Sequence, residues 1–331
     1  MPSLDKPRVI LHIGGAKCGS SAIQAFMAQN VEALAARGIG VPGQALDFDS
    51  TVTGEQIWFL EDAASSGRHD VIADRVRHLL ADAQDRGFSS VVISAENICN
   101  HPDLAAVIAE ALKETDARVV FYVRRQDDFL ISSWQQWNLK RFDKVEDFLA
   151  ARVGEDACWF SMIAPWADAF GDDRVMVRPF LRDRLKDSDV VSDFFEVAGL
   201  SHEGLAPLAE KANPSFDEAL ARLAHRVRDV FDGPHDNRFY DVMVRLIGKD
   251  ALKKGSASSL LPLETRLMIM TCYEDQNTAL KARFLPDLGD RPLFPPPTAE
   301  CIVEKTESEK ISDEIAMLTR AIYALAERAG G

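Results

Sequence analysis

Along the first two hundred residues, short runs of adjacent apolar positions alternate with longer stretches in which apolar residues recur every three or four places. Arg8 to Ile13 (RVILHI) is such a run and ends at Gly14-Gly15, which predicts a buried strand entering a turn. Ser20 to Arg37 follows with Ile23, Phe26, Met27 and Leu34 on one helical face and Gly38 as its stop. Val71 to Arg86 has the same periodicity and stops at Gly87, whereas residues 44 to 68 are polar with apolar islands and predict no regular element. Further buried strands are predicted at Ser90 to Ser94 (SVVIS), Arg118 to Val123 (RVVFYV) and Arg174 to Arg178 (RVMVR), the last closed by Pro179. The third of these four strands opens into Arg124-Arg125 and a helix running to about Lys140.

Strands that alternate with helices predict an α/β fold with a mostly parallel sheet covered on both faces, a three-layer arrangement. Past Leu205 the pattern is mainly helical, with a loop at 253 to 259 and a proline-rich exit at Pro292 to Pro297. One domain is expected over residues 1 to 300, with an α/β core at about 8 to 200, a helical region at about 205 to 285, and a C-terminal helix at 301 to 331. In that helix Ile311, Ile315, Leu318, Ile322 and Leu325 recur at spacings of four and three. The stripe covers about two heptads, fewer than a coiled coil needs. It predicts a helix docked on its own domain, and a homodimer through the same helix is the second expectation.

Composition narrows the function. No stretch reaches the roughly 20 apolar residues of a membrane span, and the first ten residues lack the pattern of a signal peptide. With 38 basic against 52 acidic side chains the net charge is −14, which disfavours nucleic acid and anionic membranes as partners. An anionic ligand must then be held by a few placed cations and amides. The five cysteines are scattered, with no Cys-x-x-Cys, so neither disulfides nor a metal site is expected and a cytoplasmic location is the simplest reading.

Two segments carry chemistry. Gly14 to Gln24 reads GGAKCGSSAIQ between a strand and a helix. Glycines let the backbone curl, its amides can converge, and a helix N-terminus adds partial positive charge, so the segment suits an anion. Lys17 brings a full cation, and Ser20 and Ser21 can cap the helix or donate to phosphate oxygens. The order of parts differs from a Walker A loop, where lysine directly follows glycine and precedes Ser or Thr. A glycine turn with a solvated lysine is the plain alternative. The second segment, Arg124-Arg125-Gln126-Asp127-Asp128, follows the third strand, with Ser133 two helical turns on. An arginine fork and a hydroxyl suit a phosphate monoester; arginine paired with Asp127 or Asp128 is the plain alternative.

Together, HIGGAKCGSSAIQ and YVRRQDDFLISSWQQ about a hundred residues later resemble the sulfotransferases that use 3′-phosphoadenosine 5′-phosphosulfate (PAPS), particularly their bacterial branch. The resemblance covers about residues 8 to 140, with a weaker echo to about 200 through VRPF at Val177 and DFFEVAGL. It implies a P-loop nucleotide-kinase-like fold of the sulfotransferase type. It also implies transfer of a sulfuryl group from PAPS to a hydroxyl or amine acceptor, leaving the 3′,5′-bisphosphate (PAP), without a metal. On that resemblance Gly15, Ala16, Lys17, Cys18, Gly19, Ser20 and Ser21 hold the 5′ end, and Arg125 and Ser133 the 3′-phosphate.

In-line transfer needs a cation at the leaving oxygen and a base at the acceptor. Lys17 is the cation. For the base, Glu96 after the second buried strand and His101 five residues on compete, and Glu96 could equally be structural. His12 lies within the first strand and reads as a core histidine. Lys254 and Gly255 only hint at the family's basic loop over the 3′-phosphate, because its Gly-x-Trp-Lys continuation is missing. Lys211 to Ser215 is another such loop. Ala22 stands where relatives place an aromatic against the adenine. Trp58, Trp134 and Trp137 could line a pocket for a small-molecule, glycan or lipid acceptor, which the sequence does not name. A nucleotide-dependent kinase of related fold and a non-catalytic nucleotide sensor are the competing readings.

Overall fold

The structure, a computed structural model, describes residues 6–208, 217–252 and 258–330. The chain divides into two compact units, one formed by Met1–Arg124, Cys158–Ala212 and Asp275–Phe294, the other by Arg125–Ala157, Asn213–Glu274 and Pro295–Gly331.

The first unit holds a five-stranded parallel sheet: β1 (Arg8–Gly14), β2 (Ile39–Gly40), β3 (Ser90–Ser94), β4 (Ala117–Val123) and β5 (Val175–Pro179). Their spatial order is β2-β3-β1-β4-β5, so the first strand is the middle one. β1 pairs with β3 from Arg8 against Ser90 to His12 against Ser94, and with β4 from Val9 against Ala117. The apolar runs in the sequence exist because both faces are covered. Ile10, Val92, Val120 and Tyr122 pack with the helices Ser20–Gln29 and Val190–Val197. On the opposite face Phe121 meets Trp159 of the helix Trp159–Phe170 edge to face, which in turn packs on Leu104–Ala111, itself against His69–Asp85. Each fully buried aliphatic side chain in such a sandwich contributes about 1.5–3 kcal/mol.

The expected α/β architecture and its helical C-terminal half are therefore observed, with local differences. The first helix stops at Gln29 and resumes as Val31–Ala35. The break is at Asn30, whose side chain donates to the carbonyl oxygens of Phe26 and Ala206 and accepts from the Ala206 amide. Part of the irregular stretch is the helix Trp58–Ser65, and the edge strand β2 is only two residues long.

The second unit is helical. Ala219, Leu220 and Leu223 of Glu218–Arg226, Met243 of Arg238–Ile247, and Met317 and Ala321 of Glu307–Gly330 share one core with Leu252. Asp217 caps the first of these by accepting from the amides of Ala219 and Leu220. The last helix is docked, but through Glu314, Met317 and Ala321; the apolar stripe expected to hold it is the side left exposed.

Candidate functional site

The loop after β1 sits at the carboxyl end of the central strand, where ligands of open parallel sheets bind. The Gly15 amide donates to the Tyr122 carbonyl (2.8 Å), tying the start of the loop to β4. A Cβ on Gly14 would overlap the Glu96 carbonyl oxygen, so only glycine lets the loop pass that backbone. Lys17 (φ 62°) and Gly19 (φ 89°) are left-handed, and a Cβ on Gly19 would crowd Phe180 and Val190 at 3.0 Å. The helix Ser20–Gln29 then starts with no side-chain oxygen capping it; the Ala22 and Ile23 amides donate to the Gly19 carbonyl, which leaves those of Ser20 and Ser21 for a ligand's oxygens. Cys18 is buried with its thiol donating to the Ala16 carbonyl (3.3 Å), and burial keeps it protonated.

Glu96 lies just past β3 and faces this loop. Burial raises its pKa and outweighs the lowering influence of the Ser20 hydroxyl and the Lys17 ammonium. The Ser20 hydroxyl donates to the Gly15 carbonyl (3.4 Å). Cys99 donates to the Glu96 carbonyl oxygen (3.2 Å), and burial raises its thiol pKa, with Glu96 adding to the rise. His101, half-buried, has Nε2 3.7 Å from the Glu61 carboxylate, so its charge partner is Glu61. His12 is fully buried, its Nδ1 2.8 Å from Ser94 Oγ, with Tyr122 and Phe194 against its ring. Burial lowers its pKa to about 3, so it stays neutral.

Sequence reasoning passed over Arg124. Its guanidinium donates to the Lys17 carbonyl oxygen (3.0 Å) and its own carbonyl accepts from Trp159 Nε1 (2.8 Å), which brings a second cation to the loop. Both arginines stand at the strand end, and nothing in their spacing marks which of the two side chains turns toward the loop.

In the second unit Arg125 begins the helix Gln126–Gln136 and is buried. Its Nε and Nη2 donate to the two oxygens of Asp127 (2.6 and 3.1 Å), and Asp128 lies 3.2 Å away. Nη1 reaches the Pro295 carbonyl at 3.4 Å, and the Cys301 sulfur accepts from Nη2 at 3.7 Å. Arg266, also buried, donates to Asp127 (3.1 Å) and Asp128 (3.3 Å), so two arginines share two carboxylates. Ser133 is buried, and its hydroxyl accepts from Asn138 Nδ2 (2.8 Å). Trp134 packs among Phe148 and His225, and Trp58 is exposed with its indole donating to Glu55. Lys211 to Ser215, Lys254 and Gly255 lie outside the described residues.

Among the described residues no group of three or more His, Cys, Asp or Glu is placed to hold a metal, and no helix is long and apolar enough to cross a membrane. No family model matches the chain. Over 165 residues, 50% of its length, the chain is 22% identical to an uncharacterized protein of Archaeoglobus fulgidus. That stretch is 45% of the archaeal protein, so the chain spans less than half of the curated relative it matches. Among solved structures, a sulfotransferase from Alicyclobacillus acidocaldarius is similar at TM-score 0.40 and 16% identity, over 63% of this chain and 87% of that one.

Proposed function

We propose that the chain is a PAPS-dependent sulfotransferase and that the loop from Gly14 to Ser21 takes the 5′-phosphosulfate. The observation that carries the reading is the glycine loop at the end of the central strand, where Lys17 brings a cation within electrostatic reach of Glu96, a carboxyl whose pKa burial raises. In the transfer, the acceptor oxygen bonds to sulfur as the bond from sulfur to the phosphate's bridging oxygen breaks. Negative charge collects on that oxygen, where Lys17 stabilises it, while Glu96 takes the acceptor's proton. The products are a sulfated acceptor and PAP.

Arg124 is assigned to the donor as well. A phosphate reaching Arg125 would displace two carboxylates, whereas at Arg124 it displaces one peptide carbonyl. Charge-assisted bonds favour the second exchange. Ser133 accepts from Asn138 and retains a proton to donate. His101, whose Nε2 lies 3.7 Å from Glu61, is the competing candidate for the base.

Thermal shift with added nucleotide tests the reading. PAP should raise the melting temperature and ATP with Mg²⁺ should not, since ligand at about 100 times its dissociation constant adds roughly 2.7 kcal/mol. Equal stabilisation by both would favour a kinase. PAP binding with no transfer of labelled sulfate to any of a broad acceptor set would favour a sensor.

A further inference from the structure

The helix Glu307–Gly330 has two faces of different fate. One is used: Met317 and Ala321 pack in the core of the second unit, and Glu314 accepts from Arg226 Nε at 2.6 Å and lies 3.0 Å from Arg222 in an ion pair. The other carries Ile311, Ile315, Leu318, Ile322 and Leu325, which are 41–65% exposed, with Tyr323 beside them at 64%. The buried face already docks the helix, so this stripe does nothing for the fold of its own chain.

We propose that the stripe is the contact of a homodimer in which this helix packs antiparallel against the same helix of a second copy. Six side chains about half exposed leave on the order of 500 Å² of apolar surface per copy, at the upper end of the largest patch a typical monomer shows. Pairing would remove on the order of 1,000 Å² in total, the threshold for a specific interface. A stripe with one repeating spacing is complementary to itself, as a two-fold contact requires. Two heptads are too few to hold isolated helices together, but here each helix is already formed and docked, so pairing bears no cost of folding it.

Direction follows from charge. The first turns carry Glu307, Glu309, Lys310, Asp313 and Glu314, a net acidic start, whereas the last turn carries Glu327 and Arg328, which balance. A parallel pair would set the acidic ends together, whereas an antiparallel pair sets each beside the other's neutral end and opposes the two helix dipoles. The antiparallel register that engages four of the five aliphatic residues places Ile315 against the second copy's Leu325, and Leu318 against its Ile322, with Ile311 opposite Ala329. The acidic start of the helix and the chain's net charge of −14 disfavour a lipid surface as the occupant.

Sedimentation of the full chain tests this. The wild type should sediment at twice the 36.6 kDa of one chain. Ile315→Lys and Leu325→Glu should each weaken association at least about tenfold. Circular dichroism spectra should be unchanged, because these side chains are 58% and 51% exposed and the helix is docked by its other face. Combining the two substitutions should restore association, since each new charge then meets its opposite across the contact. A wild type that stays monomeric up to about 100 µM, below any affinity expected of a specific interface, would overturn the proposal. So would a dimer indifferent to both single variants, or wild-type binding to phosphatidylcholine vesicles that Ile315→Lys abolishes. A double variant weaker than either single one would mean parallel pairing and overturn the antiparallel contact.

Discussion

Arg124 donates to the Lys17 carbonyl oxygen at 3.0 Å, while its neighbour Arg125 is turned away into a bidentate pair with Asp127. Two adjacent arginines thus serve different ends, one at the loop and one within a carboxylate cluster. Arg124→Lys should weaken PAP binding about tenfold or more through loss of the planar fork, with little change in melting temperature. Arg125→Lys should do the reverse, lowering stability by about 2–4 kcal/mol because a buried pair loses its geometry. Calorimetric titration with PAP alongside thermal melts separates the two effects.

Glu96→Gln should reduce sulfate transfer by about 10²–10⁴-fold while PAP affinity changes little. The pKa of Glu96 is raised above 4.5. The rising limb of the pH–rate profile should therefore lie above the ordinary carboxylate range and vanish in the variant. The sign for stability is opposite. A carboxyl with a raised folded pKa stabilises the fold below its unfolded value, and that contribution is lost as pH rises through the folded value. At neutral pH the variant should consequently be more stable than the wild type, and a melt at pH 7 against one at pH 4 checks it. Lower activity with higher stability is a combination that simple damage to the loop would not produce.

His12 predicts an acid sensitivity. It is neutral in the fold down to about pH 3, whereas in the unfolded chain it protonates below 6.5. Stability should fall as pH falls through that window, by up to about 1.4 kcal/mol per unit for this one proton. His12→Gln should flatten the dependence by that amount in urea titrations repeated across the window. An unchanged slope would show that His12 protonates in the fold.

Asp127→Asn should cost about 3–5 kcal/mol, because Arg125 and Arg266 would both remain buried with Asp128 as their shared anion. Urea denaturation measures it. A loss below about 1 kcal/mol would mean that solvent reaches this cluster.

The parts of this fold legible in the sequence are those where burial on two sides forces a simple pattern. β1, β3, β4 and β5 are runs of β-branched and apolar residues ended by glycine, serine, arginine or proline, and the loop after β1 announces itself by its glycines. β2 is a two-residue edge with no pattern of its own, and the eight residues of Trp58–Ser65 are too few for a period to emerge. The choice between Arg124 and Arg125 could not be read, because spacing to Ser133 says nothing of which way a side chain leaves the strand end. Nor could the stripe on the last helix, since periodicity marks an apolar face without saying whether the face is covered.

The position of β1 in the middle of the sheet has a consequence for how the molecule opens. Its amides are hydrogen-bonded within strands flanked on both sides, so they should exchange with deuterium only through global unfolding, after those of β2 and β5. The loop that hangs from it is anchored to the last part of the sheet to come apart. Fraying at the sheet's margins can then proceed while the anion cradle keeps its shape, and mutational tolerance should follow the same gradient from rim to centre.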